Sequence, residues 1–163
     1  MTTWTHGLLT FAIFQPIHGL DWKKAVWWAI FPDLFWAIPL GIYLLMFHIP
    51  IPHEFNQAPS WFYILYGLGH SFVISGLSIT VVYWWKKKFS FEMLAWPLLH
   101  IIPDVPGHTY FQTPFLFPLS KYSIHGLFSW TDIPWNIASY AVPLGIIAIT
   151  FLYKKLKAPT RHH

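Results

Sequence analysis

Between Ala25 and Phe47 the chain runs for 23 residues with one charged side chain, Asp33. A helix rises about 1.5 Å per residue, so such a run can cross the roughly 30 Å hydrocarbon core of a bilayer. Few other surroundings accept it. Trp61 to Trp85 is a second such run, uncharged when His70 is neutral, and Trp135 to Tyr153 is another. Phe89 to Ile102 is shorter, with Glu92 near its start and His100 near its end. The chain is 55% hydrophobic and only 10% charged, where a soluble domain has roughly 25% charged residues. In 163 residues there is too little interior to hide that much apolar surface. The expectation is an all-α membrane protein, a polytopic helical bundle in one integral membrane domain over residues 1–163, with about four spanning segments.

The connections refine this picture. Leu8 to Leu20 is too short to span and is expected as a half-buried N-terminal helix. It does not read as a cleaved signal peptide, because Phe14-Gln15-Pro16-Ile17-His18 interrupts the apolar run and no basic residues precede it. Pro32 and Pro39 are expected to kink the first span. From 103 to 133 the proline-rich, aromatic sequence predicts an irregular loop, tolerated at membrane depth only against protein or a water-filled cavity. The basic residues cluster at 23–24, 86–88 and 154–161. They form topology signals and not a nucleic-acid-binding face. If the chain crosses four times, all three clusters share one side, which the positive-inside rule makes cytoplasmic together with the C-terminus. With no cysteine in the chain, disulfides and thiolate metal sites are excluded.

This topology brings the intramembrane polar residues to a similar depth. Asp33 lies about ten residues from the inner lysines and His70 about ten from the outer end of its span, as judged from helix rise. His100 and Asp104 stand four residues apart and share a helix face. His108 extends the row only if the helix survives Pro106-Gly107. His6 can reach the same level from the first segment. Ionisable residues are costly inside a membrane and mark functional sites. Imidazole and carboxylate without sulfur suit Zn²⁺, and also Mn²⁺ or Fe²⁺. Six ligands, His6, Asp33, His70, His100, Asp104 and His108, exceed the need of one tetrahedral ion and point to one or two ions with a bridging water. Asp33 and Asp104 are the candidate proton acceptors, and Ser71 a supporting partner. His18, His48, His53 and His125 read as surface or loop residues.

The order of these motifs resembles a known series. Thr5-His6, Phe31-Pro32-Asp33, Gly69-His70-Ser71, His100-x-x-x-Asp104-x-x-x-His108 and Phe117-Pro118-Leu119-Ser120 are together similar to the YdjM-like family of inner-membrane, metal-dependent hydrolases. They cover about residues 5–130. The resemblance implies a helical hydrolase of the prokaryotic inner (cytoplasmic) membrane, with those six residues as metal ligands. A more distant similarity to zinc-dependent phospholipases C implies phosphoester or lipid-like substrates. Phe35 and Tyr66-Gly67 depart from the family pattern. The competing reading is a non-enzymatic metal-binding or ion-carrying membrane protein. A haem bundle with paired axial histidines, or a packing subunit, is a further alternative. No nucleic-acid partner is expected.

Overall fold

The computed structural model describes residues 1–50, 58–129 and 131–157. The expected loop residues His53, Glu54 and Asn56 lie outside the described residues, as do Arg161 and the His162-His163 tail. Among the described residues every regular element is helical. Helix α1 spans Thr3–Phe14, α2 Trp22–Phe47, α3 Ser60–Gly69 and α4 Phe72–Lys86. A 3₁₀ turn at Phe91–Leu94, a π-helix at Trp96–Ile101 and the short α5, Ile102–Gly107, follow in succession. Helix α6 spans Ile133–Lys157.

Helices α2 and α6 are each long and apolar enough to cross a membrane, and α3 with α4 makes a third crossing if that bent pair counts as one span. The stretch expected as a fourth span, 89–102, is instead three short helical pieces. Only 11% of the apolar window of α6 is buried, so most of its side chains face outward, as suits a helix solvated by lipid. Trp84 and Trp85 stand exposed beside Lys86, the aromatic-then-basic order of a membrane interface.

Helix α2 is the axis of the molecule, packed against α1, α3 and the 91–101 segment. Asp21 starts it by accepting the backbone N–H groups of Lys23 and Lys24 at 3.1 and 3.3 Å, the usual role of a short acidic cap. Ala25 and Ala29 are fully buried, because small side chains let the neighbouring helices come close. Trp28 then stacks on Trp96, with ring centroids 6.0 Å apart. A second cluster forms where α2 meets α3, from Leu40, Leu44, Ala58, Phe62 and Tyr66.

Three boundaries differ from expectation in ways that matter for the site. Helix α1 begins at Thr3 and ends at Phe14; Gln15 still has helical angles and donates its N–H to the Phe11 carbonyl, but Pro16 has no N–H to carry the ladder further. His6 is therefore inside a helix and fully buried. The run 61–85 is not one helix: it breaks after Gly69 and bends by 56°. Finally, α5 continues through Pro103 and Pro106 as far as Gly107, so Asp104 keeps its helical register with His100. The helix ends at His108, which is extended.

Several contacts hold the break at 69–71. The indole of Trp96 donates to the Gly69 carbonyl at 2.7 Å, and the Phe72 amide donates to the Phe115 carbonyl at 2.9 Å. The Ser71 hydroxyl donates to the Phe117 carbonyl and accepts the amides of Val73 and Ile74, capping α4. Gly69 lies so close to α2 that a Cβ there would stand 2.9 Å from the Pro32 carbonyl oxygen. Gly69→Ala is therefore expected to cost about 1–3 kcal/mol through a clash that backbone must absorb. Gly76→Ala in α4, where a Cβ meets nothing within 4 Å, should stay within about 1 kcal/mol of wild type. Unfolding of the detergent-solubilised variants in SDS measures both.

Candidate metal centre

All six sequence-predicted residues are buried, and they meet at one place. Asp33 comes from the middle of α2, His6 from the first turns of α1, and His70 from the α3–α4 break. His100 comes from the π-helix, Asp104 from α5 and His108 from the end of α5. The irregular backbone supplies what a regular helix cannot. His70 caps α3 with a non-helical conformation. His108 is held in place by its own neighbours: Leu127 and Phe128 amides donate to the Pro106 carbonyl, and the Gly126 amide to that of His108. A Cβ on Gly126 would lie 2.6 Å from the His108 backbone, so only glycine allows this crossing.

Four ligand atoms form one compact group, all within 4.8 Å of each other: those of Asp33, His70, His100 and Asp104. His70 Nε2 stands 3.1 Å from His100 Nε2 and 3.5 Å from both Asp33 Oδ1 and Asp104 Oδ2. His100 Nε2 stands 3.7 Å from Asp33 Oδ1 and 3.5 Å from Asp104 Oδ2. Tetrahedral ligands about 2.0–2.1 Å from a zinc ion are about 3.3–3.4 Å from one another. Five of the six edges, at 3.1–3.7 Å, lie near that spacing, and all four atoms lie within 4.8 Å of one another, so these residues could hold a metal ion.

Hydrogen bonding points the same way. Nδ1 of His6 faces the Leu99 carbonyl at 2.9 Å, Nδ1 of His70 that of Tyr66 at 3.0 Å, and Nδ1 of His108 that of Phe111 at 3.0 Å. A carbonyl can only accept, so Nδ1 carries the proton in each ring; in a neutral ring Nε2 then offers its lone pair inward, whereas His6 Nε2, 3.0 Å from Asp104 Oδ1, can instead donate to that carboxylate when it too is protonated. Donation from Nδ1 to a carbonyl is the usual outer support of metal-binding histidines. The Leu99 carbonyl is available partly because Pro103, four residues on, has no N–H to give it. Among the described residues, buried Asp104 Oδ2 has no hydrogen-bond partner. Lone pairs and carboxylates converging without a cation would be costly in so dry a place.

Asp104 also faces a second group. Its Oδ1 lies 3.0 Å from His6 Nε2, 3.4 Å from His108 Nε2 and 2.6 Å from the α-amino group of Met1. His6 and His108 thus face the opposite oxygen of Asp104 from His70 and His100, although the His6 ring also lies against that of His100, with centroids 4.2 Å apart. Positive charge is accommodated on that side, where the amino group sits.

Sequence reasoning missed two participants. Tyr66 stacks on His70 with ring centroids 4.1 Å apart, and its hydroxyl lies 2.9 Å from His108 Nδ1 and donates to the Phe111 carbonyl at 2.8 Å. Its position four residues before His70, on the same helix face, was the available signal. Thr3 donates to Asp33 Oδ2 at 2.7 Å, and nothing in its sequence context marks it. Ser71, expected to support a ligand, caps a helix instead. Phe35 packs on Phe31, and His18, His48 and His125 are exposed.

Loss of Asp33 or Asp104 to Ala should weaken divalent-metal binding more than loss of an outer-shell group, which typically costs 10–100-fold. Tyr66→Phe should fall within that smaller range. Binding should also weaken in acid, because imidazole must be neutral to ligate. Competition with a chromophoric chelator reads all three.

No family model matches the chain, and no curated protein or solved structure matches it either.

Proposed function

We propose that the protein is a membrane-embedded, metal-dependent hydrolase acting on phosphoester or lipid-like substrates, with zinc at Asp33, His70, His100 and Asp104. The convergence of those four buried ligand atoms carries this reading. The series of short motifs similar to the YdjM-like family supports it independently. A second ion between Asp104 Oδ1, His6 and His108 would make Asp104 a bridge; it requires the Met1 amino group to withdraw.

A divalent ion held by these four residues would supply Lewis acidity and, on taking water as a fifth ligand, a nucleophile of lowered pKa. Asp33 is the better placed of the two carboxylates to act as base. One of its oxygens holds the Thr3 hydroxyl, and the residue lines a cavity of about 350 Å³. Asp104 is fully buried and has nitrogens around both oxygens, so its part is to hold the centre together. Asp33 takes the proton from the attacking water and passes it to the departing alkoxide. One ester bond is thereby exchanged for a bond to the water oxygen, with no net change in protons. Tyr66 and Thr3 position His108 and Asp33.

The ion-carrier reading fits less well. Among the described residues, the six buried histidines and aspartates all lie in this one cluster. A conduit needs groups spread along its path, whereas a fixed centre needs them in one spot. Haem ligation by His70 and His100 is excluded sterically, since a porphyrin cannot fit between nitrogens 3.1 Å apart. In the proposed topology the basic clusters lie in the cytoplasm, and the 91–107 segment enters the bilayer packed against α2. The cavity then lies on the outer side of Asp33.

Purified protein loaded with zinc should hydrolyse a phospholipid or a chromogenic phosphodiester, and chelation should abolish the activity. Asp33→Asn, assayed at zinc concentrations that saturate the variant, should lower kcat by about 10²–10⁴-fold, the worth of a general base. Full activity in the chelated protein, or less than one metal equivalent in replete wild type, would refute the proposal.

A further inference from the structure

The cavity beside Asp33 has a composition that the metal centre alone does not require. It holds about 350 Å³ between the start of α1, the α2 and α3 faces and residues 108–111. That volume falls in the range of roughly 300–1,000 Å³ usual for small-molecule sites. Its polar end is Asp33, His108 and the Met1–Thr3 turn, and its far walls are Trp36, Leu40 and Phe62. Asp33, Trp36 and Leu40 follow one face of α2, so the apolar part extends about 10 Å from the carboxylate, at 1.5 Å per residue.

The far walls are also well fixed. Trp36 meets Phe62 edge to face at 5.2 Å and Tyr66 at 5.8 Å, and Leu40 belongs to the same buried cluster. A space so lined gives water few partners and favours an apolar occupant. Nearby on α2, Ile38 and Ile42 are more than half exposed, on a helix apolar enough to span a bilayer. Lipid-soluble molecules are therefore the ones at hand.

We propose that this cavity binds the aliphatic chain of an ester- or phosphoester-linked amphiphile, placing the bond at its polar end against Asp33. The inference rests on the hydrolase reading for the role of that bond. Chain binding itself is a separate property. The length of the apolar part suits an alkyl segment of roughly eight carbons. Leu40 and Phe62 line the part of the cavity that the chain would fill.

The test uses the full-length, zinc-loaded protein in detergent and an alkylphosphocholine of roughly eight carbons tipped with a diazirine. After irradiation, mass spectrometry maps the labelled peptides. Labelling around Leu40 and Phe62 should exceed that on the outward side chains of α6, such as Ile149 and Leu152, which report ordinary detergent contact. Leu40→Trp and Phe62→Trp fill the cavity from two walls and should each cut this labelling about tenfold or more. Labelling of α6 should not change. Wild-type labelling at Leu40 and Phe62 no stronger than on α6 would overturn the proposal. So would undiminished labelling in a filled variant that keeps its zinc. Zinc content, measured in the same samples, separates the two ideas. Labelled but metal-free wild type defeats the hydrolase and leaves the chain site; zinc-bound but unlabelled protein does the reverse.

Discussion

Six titratable side chains are withdrawn from solvent at one point, and they include two carboxylates that approach each other within a few ångströms. Taking an ion out of water costs several kcal/mol even after the protein relaxes, and the cost is recovered only by well-placed opposite charge and hydrogen bonds. Asp104 lies at the centre of this balance. Both of its oxygens have nitrogens as neighbours, His70 and His100 on one side and His6, His108 and the Met1 amino group on the other. Neutral imidazoles cannot offset two negative charges, so the cluster calls for cations. The rest of the structure is arranged around holding these groups at such close range.

That arrangement depends on departures from regular helix. One straight helix can offer ligands only at intervals of three or four residues along a single face. Here the α3–α4 break turns His70 inward, a π-helix carries His100, and the end of α5 releases His108. Irregular backbone is tolerated at membrane depth only where protein satisfies its polar groups. Trp96 does so for Gly69, the 115–117 segment for Phe72 and Ser71, and the 126–128 segment for Pro106 and His108. The proline-rich stretch after Gly107 thus acts as a strap over both irregular points.

The apolar runs and all six clustered residues were legible in the sequence, because charge is so sparse that each exception stands out. The helix break was not. Hydrophobic residues continue unbroken from Trp61 to Trp85, so the pattern suggests one span. In hindsight Gly69 and Ser71 are an ordinary helix-ending glycine and helix-starting cap, hidden inside an apolar run. Pro103 and Pro106 misled in the opposite direction. They suggested an early end to the helix, but prolines in a first turn or beside a π-helix remove bonds the geometry can spare. Tyr66 and Thr3 escaped notice because their importance comes from contacts to His108 and Asp33 across the fold.

The two aspartates, alike in the sequence, are given different work by their surroundings. Asp104 is fully enclosed and faces four histidine side chains, so any movement of its carboxylate would disturb both halves of the cluster. Asp33 keeps one oxygen toward His70 and His100, while the other holds only the Thr3 hydroxyl at the start of α1. It also borders the apolar cavity. A carboxylate so placed belongs to the cluster and to the cavity at once. In the proposed hydrolase the base needs that position, and Asp104, closed in by nitrogens, cannot take it. The asymmetry follows from where the chain breaks: α2 passes the centre as an intact helix and leaves one flank open, while α5 ends inside it.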